Sequence, residues 1–257
     1  MSFKKIIFKK KPIVCLTSYN KFFANIADEF CDLILVGDSM GTAYYGDNTT
    51  REITIDNIIK HAKSVRRGVE RAILVVDMPF QTYNTPAQAK KNALKIIKET
   101  KCDAVKLEGG TEISKIIKCL VDSKINVMGH IGLLPQKVRK RGDYKVKGKT
   151  YLENKKILQD LSSLEKAGVF SIVLEAVKHN TALEITKKSK VPIIGIGASK
   201  NCDGQILVLE DMLGLFENVP KFVKKYLNLN KQIKLAVKKY AIDVRKGKFP
   251  TKKNIYN

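Results

Sequence analysis

The chain has 257 residues, 44% of them hydrophobic, enough for one substantial core and too apolar for a disordered segment. Lys and Arg number 48 against 25 Asp and Glu, a formal charge of +23, yet there is no Trp and the basic residues are scattered rather than interleaved with exposed aromatics, which weighs against a specific nucleic-acid surface. No apolar run approaches the roughly 20 residues of a membrane span, the opening MSFKKIIFKKKPIVCLT is too broken by lysine for a leader, and the five cysteines lack CxxC spacing, so neither a disulfide scaffold nor a thiolate zinc site is expected in what reads as a soluble, cytoplasmic protein.

In chain order, PIVCLT at 12–17 predicts a first strand, followed by a helical stripe through Phe23, Ile26, Ala27 and Phe30. DLILVG at 32–37 is the second strand. A helix through Ile55, Ile58, Ile59, Ala62 and Val65 follows, with Thr54 to cap it and Gly68 to stop it. AILVVD at 72–77 precedes a helix opened by Pro86 with Ala89, Ala93, Leu94 and Ile97 along one side. DAVKLE at 103–108, a helix over 112–121, NVMGH at 126–130, a helix over 151–167 ending at Gly168, FSIVLE at 170–175 and a helix over 181–188 continue the alternation. VPIIGI at 191–196 and QILVLE at 205–210 close the strand set, with only GIGASKNCDG between them, too short for a helical crossover. Basic helices over 220–244 should complete the ring.

Eight short, β-branched strands, mostly apolar on both faces, are what a (β/α)8 TIM barrel requires. The expectation is a single domain over 1–257 with a tail from 245 to 257.

Several of these strands finish in an ionisable group. In a parallel barrel the C-terminal strand ends share one mouth. Asp38 after strand two, Asp77 ending strand three, Glu108 ending strand four, His130 ending strand five and Glu175 ending strand six would therefore meet there. Three anions from adjacent strands repel unless a hard cation accepts their oxygens, so Asp38, Asp77 and Glu108 read as Mg²⁺ ligands; as caps, or paired with some of the many basic residues, they would be structural. Lys106 alternates with Glu108 and should face the barrel interior, either toward a ligand or as a simple Lys–Glu core pair. Ser39 offers a hydroxyl and an N–H to an anion, or orders a turn. His130 suits a substrate oxygen or a satisfied rim position. Glu175, apart from the metal trio, reads as a general base, with a salt bridge to Lys178 as the bland alternative. A cation opposite a base suits proton abstraction next to the carbonyl of a 2-oxo acid. His61 and His179 carry no metal-binding spacing.

The segments LTSYN (16–20), ILVGDSMG (34–41), VVDMPFQTY (75–83), AVKLEGG (104–110), VMGHIGLLPQ (127–136), YKVKGKT (144–150), IVLEAV (172–177) and GIGASKNCDGQILVLEDMLG (195–214) closely resemble, in order, the 3-methyl-2-oxobutanoate hydroxymethyltransferase, or ketopantoate hydroxymethyltransferase, family. The resemblance implies a (β/α)8 fold, bound Mg²⁺, a homodecamer, and transfer of a one-carbon unit from 5,10-methylenetetrahydrofolate to 3-methyl-2-oxobutanoate, giving 2-dehydropantoate for pantothenate synthesis. It also implies that Asp38 and Asp77 are the main magnesium ligands, with Glu108 nearby or acting through water. Asp38 with Ser39, Asp77, Lys106 and His130 would contact substrate, and Glu175 would accept the proton. Asn20 and Ser199 depart from the family pattern, where Asp and Gly are usual. The alternatives are a phosphoenolpyruvate mutase or isocitrate lyase relative, whose KKCG-like loop is absent, and a nonenzymatic basic binding protein.

Overall fold

The computed structural model describes residues 11–140 and 143–256. The first ten residues, which bear on the leader reading, and Arg141 and Gly142 of the RGDYKVKGKT stretch lie outside them. The chain forms two compact units, one ending at Val208 and the other beginning at Leu209.

The first unit is a closed, all-parallel barrel of eight strands in sequential order. The strands are β1 (Ile13–Thr17), β2 (Leu33–Val36), β3 (Ile73–Asp77), β4 (Ala104–Glu108), β5 (Val127–Gly132), β6 (Ser171–Glu175), β7 (Ile193–Ile196) and β8 (Gly204–Leu207). Closure comes from β1 against β8, with Ile13 opposite Gly204 and Cys15 opposite Ile206. All eight predicted strands are present. The larger boundary differences are three: β5 continues two residues past His130, β7 begins at Ile193 and not at 191, and β8 stops at Leu207, the residues from Leu209 to Met212 forming a short helix.

Side-chain alternation divides the apolar residues into two layers. Ile13, Cys15, Leu33, Leu35, Ile73, Val75, Ala104, Met128, Val173, Ile194 and Ile206 share one cluster that fills the barrel. Their strand neighbours Ile34, Val36, Leu74, Val76, Val105, Leu107, Ile172 and Leu174 pack outward with the helices in a second, larger cluster. Strands buried on both faces explain the near-continuous apolar runs of the sequence.

Six helices alternate with the strands: α1 (Lys21–Phe30), α2 (Ile55–Arg66), α3 (Pro86–Thr100), α4 (Ser114–Asp122), α5 (Tyr151–Ala167) and α6 (His179–Lys188). The caps are those the sequence names. Thr54 forms a reciprocal capping box with Asn57, Pro86 occupies the first turn of α3, and Gly168 ends α5 in the left-handed conformation. No helix lies between β7 and β8, as the length of that connection requires. Two apolar stripes are rotated from their predicted faces. In α1 the buried residues are Ala24, Ala27 and Asp28, while Phe30 is 72% exposed. In α3 they are Ala89, Ala93, Ile96 and Thr100, and Leu94 is 46% exposed. Small residues let these helices lie close to the sheet, and the larger ones turn outward.

The second unit holds the short helix α7 (Leu209–Met212) and α8 (Leu229–Arg245). Residues 220–228, predicted helical, are not, because the Asn228 side chain caps α8 by accepting from Lys231 N–H at 3.1 Å and fixes its start there. All five cysteines are free thiols.

Ile96→Ala should lower unfolding free energy by about 2–5 kcal/mol, and Leu94→Ala by less than about 0.5 kcal/mol, in urea titrations followed by circular dichroism. Equal losses would mean that α3 buries the predicted face.

Candidate active site

Strand alternation carries the interior stripe from apolar residues to ionisable ones at the C-terminal ends. Asp77 follows Ile73 and Val75 on the inward face of β3, Lys106 and Glu108 follow Ala104 on β4, His130 follows Met128 on β5, and Glu175 follows Val173 on β6. Register sets them side by side, with Asp77 opposite Lys106, Glu108 opposite His130 and Gly132 opposite Glu175. Asp38 joins them from the turn after β2. Its carbonyl accepts from Gly41 N–H, and its carboxylate points inward instead of capping the turn.

Asp38, Asp77, Lys106, Glu108 and His130 are all buried. Lys106 Nζ lies 2.9 Å from Asp77 Oδ1, outside hydrogen-bond geometry, and 3.8 Å from Glu108 Oε1, so its main partner is Asp77 and not the Glu108 of a simple Lys–Glu pair. Asp77 Oδ2 accepts from Asp38 N–H at 3.1 Å. Gly37 keeps this approach open, since a Cβ there would lie 2.9 Å from Ser39 Oγ and 3.4 Å from Asp77 Oδ2. Ser39 Oγ itself shares a 2.8 Å hydrogen bond with Tyr19 Oη.

His130 Nδ1 lies 3.2 Å from Lys106 Nζ. An ammonium can only donate, so Nδ1 accepts and the proton of the neutral ring sits on Nε2. That nitrogen is 3.3 Å from Glu175 Oε2. Burial and the Lys106 charge both hold the His130 pKa well below the ordinary imidazole value. Glu175 is the most open acid of the group, with 14% of its side chain exposed. Among the described residues no lysine pairs with it, Lys178 included. Gly132, at φ +94°, allows the Glu175 carbonyl to come close enough to accept from Leu133 N–H at 2.9 Å; a Cβ at 132 would run into that carbonyl.

Three buried carboxylates thus share one buried ammonium. Burial, then Asp77 and Glu108, raise the Asp38 pKa well above the carboxylate range. Burial likewise pushes Glu108 up to about 8, against the lowering effect of Lys106 and the Gln136 amide. Burial opposes the charge on Lys106, but Asp77, Glu108 and Asp38 outweigh it and hold the ammonium above the usual lysine pKa. Glu175 is raised to about 7, chiefly by burial. A hard divalent cation fits this excess of buried anionic oxygen. Among the described residues no three His, Cys, Asp or Glu groups are set to hold an ion by themselves. Asp38, Asp77 and Glu108 are the residues that would hold such a cation, with part of its coordination left to other oxygen donors.

The remaining polar motifs have structural partners. His61 Nδ1 meets Tyr19 O and its Nε2 meets Tyr45 Oη. His179 Nδ1 meets Ser199 Oγ, so the serine that replaces the usual glycine anchors its own loop. Asn20 caps α1 by accepting from Phe23 N–H. Three residues near the site carry no sequence expectation. Gln136 donates to the Asp38 carboxylate, the Tyr83 hydroxyl meets the Glu108 backbone carbonyl, and Tyr144, 40% exposed, has its hydroxyl pushed up to about 12 by burial and by Glu175, Asp38 and Glu108. Their signal in the sequence was membership in conspicuous motifs, LLPQ, FQTY and YKVKG, without a residue type that announces chemistry.

The family described as ketopantoate hydroxymethyltransferase matches residues 1–252. The chain belongs to the ketopantoate hydroxymethyltransferase family. It is 53% identical over 247 residues to the 3-methyl-2-oxobutanoate hydroxymethyltransferase of Pelagibacter ubique (strain HTCC1062), covering 96% of this chain and 95% of that one. The enzyme of the same name from Helicobacter pylori (strain P12) is 45% identical over 249 residues, covering 96% and 92%. Family membership makes the chain an enzyme of the transferase class. In fold it is similar to phosphonopyruvate hydrolase solved with oxalate and Mg²⁺, at a TM-score of 0.63 and 13% identity over 99% of this chain and 93% of that one. It is also similar to 2,3-dimethylmalate lyase of the PEP mutase/isocitrate lyase superfamily, at 0.62 and 10% over 99% and 90%.

The raised Glu175 pKa gives a signed stability prediction. In the native state the group holds its proton up to about pH 7, whereas in the unfolded chain it loses it near 4.5, the ordinary value for glutamate. Stability therefore falls as pH rises between those values. Glu175→Gln removes this dependence. In urea titrations with chelator present, the variant should exceed the parent by about 2–3 kcal/mol more at pH 8 than at pH 4.5. A pH-independent difference would mean that Glu175 is an ordinary carboxylate.

Proposed function

We propose that the protein catalyses magnesium-dependent transfer of a hydroxymethyl group from 5,10-methylenetetrahydrofolate to 3-methyl-2-oxobutanoate, consuming water and giving 2-dehydropantoate. The observation that carries this reading is the split of the buried rim into two parts: an anionic cluster of Asp38, Asp77 and Glu108 on neighbouring strands, and the more open, near-neutral acid Glu175 across from it. The names of its relatives supply the substrate class.

Asp38 and Asp77 would hold Mg²⁺, with Glu108 acting through a water. When bound, the ion polarises the carbonyl of the 2-oxo acid and carries charge that develops on its oxygen. Ser39, with its hydroxyl and N–H at the open side of the Asp38 turn, would hold the substrate carboxylate. Lys106 keeps a fixed positive charge beside the same carboxylates and offsets the negative charge of enolisation. Glu175 takes the proton from C3. With a pKa near 7 it is substantially ionised at neutral pH yet basic enough to accept the proton, the compromise that general-base catalysis favours. His130, neutral and protonated on Nε2, lies with that nitrogen 3.3 Å from the Glu175 carboxylate, outside hydrogen-bond geometry in the free protein. The C3 carbon so exposed forms the new C–C bond to the one-carbon unit, both C–N bonds of that unit to the folate break, water supplies the hydroxyl, and tetrahydrofolate leaves.

We read the enzyme as cytoplasmic and as a homodecamer. The α8 residues Ile233, Leu235, Val237, Tyr240 and Val244 are exposed in the single chain, which favours burial between copies. Light scattering should give about ten chains per particle, and a monomer would contradict the assembly.

Purified protein incubated with both substrates should form 2-dehydropantoate with Mg²⁺ and none after chelation. Asp77→Asn should raise the Mg²⁺ dissociation constant by at least about tenfold in calorimetric titration while the circular dichroism spectrum is retained. Unchanged magnesium binding in that variant would remove Asp77 from the metal site.

A further inference from the structure

Gln136 sits in a single turn of 3₁₀ helix (Pro135–Lys137) beyond the end of β5, yet it is as buried as the carboxylates. Its side-chain Nε2 donates to Asp38 Oδ2 at 2.7 Å and to the Met78 carbonyl at 3.0 Å. Its own backbone N–H donates to Glu108 Oε2 at 3.0 Å. Its Oε1 accepts from Tyr83 Oη, a hydroxyl that also lies 3.2 Å from the Glu108 carbonyl.

The orientation of the amide follows from its partners. The nitrogen faces the Met78 carbonyl, which can only accept, while the oxygen faces a hydroxyl; a flipped amide would set its oxygen against that carbonyl. Both amide protons, the amide oxygen and the backbone N–H of Gln136 are all engaged. One residue thus grips Asp38 from β2 and Glu108 from β4, and braces itself on the residue that follows Asp77, Met78. Among the described residues no hydrogen-bond donor reaches Asp38 Oδ1, so the grip on Oδ2 leaves the second oxygen available.

We propose that Gln136 is a positioning residue that sets the affinity of the metal site by locking the Asp38 and Glu108 carboxylates in their ligating orientation, with Tyr83 fixing the amide in turn. The inference rests on the magnesium reading of the cluster. Gln136 touches neither metal nor substrate, so its contribution is pre-organisation: without it, part of the binding free energy goes into orienting Asp38 and into leaving the Met78 carbonyl without a donor.

Gln136→Met keeps length and volume and the backbone N–H to Glu108, but removes every side-chain hydrogen bond. Calorimetric titration with Mg²⁺ alone should show affinity lower by about 10- to 100-fold, the scale typical for groups that orient metal ligands. In steady-state assays the Mg²⁺ concentration for half-maximal rate should rise by the same factor, while kcat at saturating Mg²⁺ stays within about threefold of the parent. A general packing defect would lower kcat without moving the metal dependence. Tyr83→Phe deletes one hydroxyl with minimal risk to folding and should weaken Mg²⁺ in the same direction by a smaller factor. Parent-like Mg²⁺ affinity in both variants, with the parent binding Mg²⁺, would overturn the role of Gln136 and leave the proposed activity standing. Failure of the parent itself to bind Mg²⁺ would overturn both.

Discussion

The buried charge of Lys106, held against the carboxylates of Asp77 and Glu108 and within electrostatic reach of Asp38, is the constraint on which the rest of the site depends. A TIM barrel of this size needs its interior filled, and in the lower layers apolar residues do so. At the C-terminal end the same inward positions hold charge, which is tolerable only if each group finds a partner. One ammonium for three carboxylates leaves an anionic surplus. Burial and mutual repulsion raise the pKa of Asp38 and Glu108, the electrostatic signature of that surplus, and a divalent cation held by these carboxylates would offset it.

Glu175 escapes this competition. It belongs to β6, keeps 14% of its side chain exposed, and lies 3.3 Å from His130 Nε2. His130 in turn is kept neutral by burial and by Lys106, so the lysine acts on both halves of the site: it stabilises ionised carboxylates on one side and fixes the imidazole tautomer that faces Glu175 on the other. The division of labour between binding and proton transfer is therefore built from strand order, with β2 to β4 on one side, β6 on the other, and β5 supplying the histidine that lies between them.

Much of this was legible in the sequence because a parallel barrel converts a one-dimensional pattern into a ring. Runs such as ILVVD and AVKLE state both that a strand is buried and that its last inward residue is ionisable, and the structure brings Asp77, Lys106, Glu108, His130 and Glu175 together as that pattern requires. Ser39 was legible as a mouth residue, though not its bond to Tyr19. What was not legible depends on tertiary fit. In α1 and α3 the expected stripes are right at Ala27, Ala89 and Ala93 and wrong at Phe30 and Leu94, because helical periodicity weighted by hydrophobicity favours the larger side chains at the edge of the buried face. Gln136 was quoted within a motif but given no role, since its partner Asp38 is 98 residues away and amides do not signal chemistry by type. The length of residues 195–204 ruled out a helix there, which the structure bears out, whereas the start of α8 turned on the Asn228 cap, whose competition with an earlier start at Pro220 the basic pattern could not decide.

Exchange of the C3 proton of 3-methyl-2-oxobutanoate with deuterated water, followed by NMR with Mg²⁺ present and the folate omitted, isolates the step assigned to Glu175. The parent should exchange that proton, and Glu175→Gln should do so slower by about 10²- to 10⁴-fold, with magnesium and 2-oxo acid bound equally by both proteins. Exchange at the parental rate in Glu175→Gln, with binding intact, would contradict the division of the rim into a metal cluster and a separate base.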